Sequence, residues 1–186
     1  MHGTRKRHPF VIALIGPVGS GKSYVARILA SKLGAVHLRT DDVRVTLRRR
    51  GQSMYDAVSV MRHRAEALLR RGMPVILDSD FVNPEKRREL ERLLAPLGAR
   101  LYFIEVDTPE PLILARLREN RYTADDFFPN AEEAIRVYYV RKKFRAKFES
   151  TLTLGGRFKP DFTVDNTEPL GPQIGKIVKE VGKRRN

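Results

Sequence analysis

Six consecutive apolar residues, Phe10 to Ile15, run straight into a glycine-rich turn, after which the spacing becomes helical from Tyr24 to Leu33. An unbroken apolar run of this length, bounded by a turn, fits a strand buried on both faces of a parallel sheet. Gly34 ends the helix and Ala35 to Leu38 gives a second short strand. Ser53-Met54-Tyr55-Asp56 has the form of a capping box and predicts a helix reaching Arg71, with Val58, Met61, Ala65, Leu68 and Leu69 at helical spacing before Gly72. Pro74 to Asp78 reads as a third strand, followed by a helix capped by Asn83 with Pro84 in its first turn. Leu101 to Val106 is a fourth strand, and Pro109 opens a helix to about Arg118. After a polar stretch, a long helix is predicted over Ala131 to Glu149 with Ile135, Tyr138, Tyr139 and Phe144 inward, and a basic outer surface that includes Arg141, Lys142 and Lys143. Phe162 to Val164 supplies a fifth strand and Pro172 to Val181 a closing helix. Strands alternating with helices predict an α/β fold around a parallel sheet.

The turn after the first strand carries the most specific chemistry. Gly16-Pro17-Val18-Gly19-Ser20-Gly21-Lys22-Ser23 satisfies every fixed position of the Walker A pattern, and a strand precedes it and a helix follows it, as the pattern requires. Gly16 and Gly21 allow a close backbone approach, so that the amides of Val18, Gly19, Ser20 and Tyr24 and their neighbours converge on phosphate oxygens at a helix N-terminus. Lys22 brings a point charge to the β and γ phosphates, and the Ser23 hydroxyl is placed to ligate Mg²⁺.

Other candidates fall at the same edge of the sheet. Asp41 and Asp42 follow the second strand, at the carboxyl end where open parallel sheets bind ligands. One of them also suits a helix cap, so a catalytic and a capping role stand side by side. Asp78 closes the third strand in the position of a Walker B aspartate, with Asp80 a competitor for the metal, and Asp78 is favoured. The polar segment from Glu119 to Asn130 has the composition of a lid. Arg116, Arg118 and Arg121 lie in or just before it, where a mobile guanidinium could close over a transferring phosphoryl group. Asn166, after the fifth strand, reaches the same edge.

Length and composition narrow the picture. At 186 residues the chain suits one α/β core, predicted as a single unit over 10–186 preceded by a disordered basic arm over 1–9. A formal net charge of +14, from 36 Lys and Arg against 22 Asp and Glu, makes a polyanion a natural partner. Cysteine is absent, which excludes disulfides and thiolate metal sites, and no apolar run approaches a membrane span. A cytoplasmic location is the expectation.

Taken in order, the P-loop, Thr40-Asp41-Asp42-Val43-Arg44, Val75-Ile76-Leu77-Asp78-Ser79-Asp80, Asn83-Pro84-Glu85-Lys86-Arg87-Arg88, the arginine-bearing segment and Ala134-Ile135-Arg136-Val137-Tyr138-Tyr139 resemble the kinase domain of polynucleotide 5′-hydroxyl kinases. The likeness covers about residues 10 to 150 and extends to the wider group of zeta-toxin-like and small-metabolite kinases such as those for gluconate or shikimate. It implies a three-layer P-loop NTPase fold of the nucleoside-monophosphate-kinase kind, with a five-stranded parallel sheet and a helical lid at about 119–130. It also implies ATP and Mg²⁺ as cofactors and a hydroxyl acceptor, with Asp41 as general base, Arg44 on a phosphate of the acceptor, and Arg121 or Arg116 on the ATP phosphates. Asn166 corresponds in position to the adenine-side loop. The chain departs from the pattern at Asp80 and Phe81, where many such kinases have threonine and asparagine, and this bears on the acceptor. An RNA or DNA 5′ end or a nucleoside is the expected acceptor. A small metabolite is the alternative, and a nucleotide-switched RNA-binding ATPase a reading from another class.

Overall fold

The computed structural model describes residues 9–123, 126–151 and 158–183, so residues 1–8 of the expected N-terminal arm, and Ala124 and Asp125 of the expected lid, lie outside the described residues. Strands β1 (Phe10–Ile15), β2 (Val36–Arg39), β3 (Val75–Asp78), β4 (Arg100–Asp107) and β5 (Phe162–Asp165) form one sheet in the order β2-β3-β1-β4-β5, and every pairing is parallel. Helices α1 (Lys22–Leu33), α2 (Thr40–Arg49), α3 (Ala57–Arg70), α4 (Pro84–Leu94), α5 (Glu110–Glu119), α6 (Ala131–Thr151) and α7 (Leu170–Lys183) surround it.

The central strand shows why the fold has three layers. Phe10, Ile12 and Leu14 face one apolar core with Val25, Leu29, Ile174 and Ile177 of α1 and α7. Their neighbours Val11, Ala13 and Ile15 face a second core with Leu47, Met61, Leu69 and Leu90 of α2, α3 and α4. A strand apolar at every position is therefore buried on both sides, which is what its unbroken run requires. The chain leaves β1 for the β2 side and later crosses to the β4 side, so the carboxyl ends of β1, β2 and β3 meet at one crevice.

Three local expectations change. The segment at Ser53 is not the start of one long helix: its hydroxyl accepts from the Tyr55 amide at 3.3 Å and caps a 3₁₀ turn over Met54–Asp56, and α3 begins after it. The span between α5 and α6 is irregular over 120–123 and 126–130. On α6 the inward residues are Ala134 and Tyr138, which pack with Ile113 and Leu117 of α5, and Ile135 lies against that cluster. Tyr139 and Phe144, expected inward, are 43% and 57% exposed. An apolar stripe of two residues four apart is enough for one helix-on-helix contact, so the other aromatic residues are left outside it.

Candidate active site

The P-loop is hemmed in from three sides, and its glycines are dictated by space as well as by conformation. Gly19 and Gly21 have φ of 81° and 88°, the left-handed region. A Cβ on Gly19 would lie 2.9 Å from Ile113 Cγ2, and one on Gly21 would lie 2.6 Å from Asn166 Nδ2. At Gly16 a Cβ would come within 2.9 Å of the Val106 carbonyl. The Ser20 carbonyl gathers donors from distant parts of the chain: Thr108 Oγ1 at 2.9 Å, Asn166 Nδ2 at 2.6 Å and an Arg116 guanidinium nitrogen at 3.4 Å. Asn166 and Arg116 are thus anchored on the loop itself. Lys22 Nζ donates to the Pro17 carbonyl at 2.7 Å. Burial pushes the Lys22 pKa below the usual lysine range, against the opposing pull of Asp80, Asp78 and Asp41.

Asp41 and Asp42 lie in the first turn of α2, yet neither caps it, because the N-cap position is Arg39. Asp42 is exposed and accepts from Arg39 at 3.0 Å. Asp41 accepts from Arg44 at 2.7 Å, one turn further on, and lines the main cavity. The same Arg44 guanidinium lies over the Phe127 ring at 4.9 Å, and Arg48 donates to the Asp126 carbonyl at 2.9 Å. Two arginines of α2 thereby clasp the segment that was expected to act as a lid.

Asp78 is 8% exposed at the end of β3. Burial alone would raise its pKa, but hydrogen bonds from His37 and Ser23 and the charge of Lys22 hold the carboxyl below the ordinary aspartate range. His37 Nε2 lies 3.2 Å from Asp78 Oδ2 and Arg39 Nε 3.5 Å from the same oxygen. An ionised, oriented carboxylate bonded to the P-loop serine fits Mg²⁺, which is usually held by one or two protein oxygens while the nucleotide and water complete the shell. Ser23 and Asp78 would hold it. Among the described residues no group of three or more His, Cys, Asp or Glu forms a dedicated metal cage. Asp80 Oδ1 instead accepts from the Val82 amide at 3.2 Å and fixes its own turn. Phe81, the other point of departure from the polynucleotide-kinase pattern, is buried edge-on against Phe103 at 6.5 Å and belongs to the core.

Lys22, Ser23, Asp41, Arg44, Asp78 and Arg116 all line one cavity of about 670 Å³ at the carboxyl ends of β1, β2 and β3, with Val18, Gly19 and Gly21 of the loop. Gly16 and Ser20 are buried behind it. Arg121 is exposed and does not line the cavity, and Tyr24 is 51% exposed with the Arg27 guanidinium over its ring. The cavity is also lined by residues that the sequence did not single out, among them Lys86 of α4, and Arg141 and Phe144 of α6. Arg141 sits in a basic run and looked like part of a solvated face, because only the α5–α6 packing brings it within electrostatic range of Lys22.

A parallel sheet with a complete P-loop at the end of its central strand, and with that loop's lysine and serine in a cavity, defines a nucleotide-binding protein with the fold of P-loop kinases. Residues 11–141 match the model of a family described as AAA domain, and the chain belongs to that family. The fold is similar to that of a candidate kinase from Chloroflexus aurantiacus J-10-fl (TM-score 0.66, 21% identity, 95% of this chain and 98% of that one). It is also similar to the Mycobacterium tuberculosis APS kinase CysC in complex with AMPPNP and APS (TM-score 0.63, 20% identity, 94% and 98%). A sugar kinase from Janibacter sp. HTCC2649 aligns at TM-score 0.59 and 14% identity over 94% of this chain and 95% of that one. In sequence, the cytidylate kinase of Thermotoga petrophila is 52% identical over 52 residues, which are 26% of this chain and only 24% of that relative's length. Among the described residues no helix is long and apolar enough to cross a membrane.

Proposed function

We propose that the protein is an ATP-dependent phosphotransferase that moves the γ-phosphoryl group to a hydroxyl acceptor, and that the acceptor is a nucleic-acid 5′ end or a nucleoside. The observation that carries this reading is the placement of Asp41 in the same cavity as Lys22, paired with Arg44 rather than spent on capping its helix. A protein that only binds and switches has no need of a carboxylate beside an acceptor space. The net charge of +14 favours a polyanionic acceptor.

The residues divide the work by position. Lys22 exchanges the Pro17 carbonyl for phosphate oxygens, and Arg116, already bonded to the P-loop, stands where a guanidinium can offset charge on the transferring group. Bound Mg²⁺, held by Ser23 and Asp78, would offset charge on the β and γ phosphates. Asp41 orients the acceptor hydroxyl and takes its proton, and for this Arg44 has to leave Asp41. An anionic group on the acceptor supplies the reason to leave, since it offers the guanidinium a second carboxylate-like partner. Phe127 and Phe128 wall the cavity beside Arg44 and exclude water from that side.

The test is transfer of labelled γ-phosphate from ATP to a panel of 5′-hydroxyl RNA, 5′-hydroxyl DNA, nucleosides and polyols. Labelled oligonucleotide or nucleoside is expected. Transfer to polyols alone would replace this acceptor by a small metabolite, and ATP hydrolysis with no transfer would leave a nucleotide-operated binding protein.

A further inference from the structure

Four aromatic side chains line the main cavity, and three of them have their rings engaged by the protein. Phe127 carries Arg44 on its face and meets Phe128 edge-on at 4.8 Å. Phe128 and Tyr122 pack against the α5–α6 cluster, and the Tyr122 hydroxyl donates to the Leu117 carbonyl at 2.8 Å. Phe144 differs: the residue is 57% exposed, yet it lines the cavity, and among the described residues it has no ring or cation partner. A large apolar ring left open at the mouth of a charged cavity is a feature of binding surfaces more than of folding.

Arg141 lies one turn before Phe144 on α6, on the same face of the helix, and lines the same cavity. Its neighbours Lys142 and Arg145 are paired with Glu110 and Glu105, whereas Arg141 has no ion pair among the described residues. A ring and a guanidinium side by side offer a stacking face and a positive charge together. That combination matches a nucleotide unit, whose base presents a π-face and whose backbone presents an anion.

Resting on the kinase reading above, we propose that Phe144 and Arg141 form the subsite for the nucleobase and adjacent phosphate of the acceptor, with Phe144 setting a preference for acceptors that carry a base next to the reacting hydroxyl. Stacking on one ring tolerates any base, so the preference is for a nucleotide and not for a sequence.

The experiment compares two acceptors that differ only in the base: a short 5′-hydroxyl oligonucleotide, and the same oligonucleotide with an abasic 5′-terminal sugar. In Phe144→Ala the KM for the base-bearing acceptor should rise about tenfold to a hundredfold, the range expected for loss of one stacked base. The KM for the abasic acceptor should be the same in both proteins, and Phe144→Tyr should restore the base-bearing KM. Arg141→Ala should raise the KM of both acceptors, because it removes the phosphate contact that they share. A base-bearing KM unchanged in Phe144→Ala, or an equal rise for the two acceptors, overturns the subsite while leaving the kinase reading in place. No transfer from the wild-type protein to either acceptor sinks the nucleic-acid reading itself, and the subsite with it.

Discussion

Arg87 gives the sharpest stability prediction, because it is a buried cation whose work can be itemised. Its side chain is almost wholly enclosed, and burial lowers its pKa below the usual arginine range. One terminal nitrogen donates to the Phe81 carbonyl at 2.7 Å and to the Val82 carbonyl at 2.8 Å, and the guanidinium lies 3.9 Å from the centre of the Phe158 ring. These contacts pin the turn that carries Asp80 into the cavity. Arg87→Leu keeps apolar bulk but strands two carbonyls, one buried and one partly so, at about 1–3 kcal/mol for a fully buried group. It also loses a cation–π contact worth about 1–2 kcal/mol, and it regains the cost of burying a charge. The balance is about 3 kcal/mol of destabilisation, which for a chain of this size lowers Tm by about 6–12 °C. Thermal unfolding followed by circular dichroism measures it. Arg87→Lys should recover only part of the loss, since an ammonium cannot lie flat on the Phe158 ring while serving both carbonyls. A leucine variant melting within about 2 °C of wild type would refute the account of this turn.

Three further outcomes follow from the site. Lys22→Ala should abolish nucleotide turnover, because a charge-assisted phosphate contact in a dry site contributes several kcal/mol at the transferring group; near wild-type turnover with ATP and Mg²⁺ would contradict the P-loop assignment. Arg116→Ala should cut transfer more than Arg121→Ala, since Arg116 reaches the loop and Arg121 is exposed off the cavity; the reverse order in single-turnover rates would move the role to Arg121. The Asp78 carboxyl titrates below its ordinary range in the folded protein, so it contributes stability above the unfolded value of about 4. That contribution is lost as pH falls from there through the lower folded pKa. Asp78→Asn should flatten this acid limb of the stability curve, and an unchanged limb would show that the His37 and Ser23 contacts do not hold the charge.

Much of this was legible in the chain because it is local. The β1 run, the P-loop and α1 are consecutive, so one stretch of sequence carries strand, turn and helix together. Asp78 was found because it closes an apolar strand, and Asn83 because cap and Pro84 stand together; its Oδ1 indeed accepts from the Glu85 amide at 2.8 Å. What stayed hidden depends on how elements pack. Which face of α6 turns inward is set by a narrow contact with α5 through Ala134 and Tyr138, not by where its aromatic residues lie. For the same reason Arg141 and Phe144 gave no signal as site residues. The ambiguity between capping and cavity-facing roles for Asp41 needed the position of Arg39 at the helix N-cap, which no local pattern reveals.

The central claim is that Asp41 serves an acceptor hydroxyl, and the most direct measurement is single-turnover phosphoryl transfer by Asp41→Asn beside wild type, once the acceptor panel has named a substrate. Among the described residues Asp41 pairs only with Arg44, so the variant should keep its ATP affinity and its melting temperature while transfer falls by about 10²- to 10⁴-fold. Asp42→Asn, which alters an exposed pair with Arg39, should transfer at close to the wild-type rate. If Asp41→Asn transfers phosphate normally, the carboxylate is structural and the proposed chemistry fails.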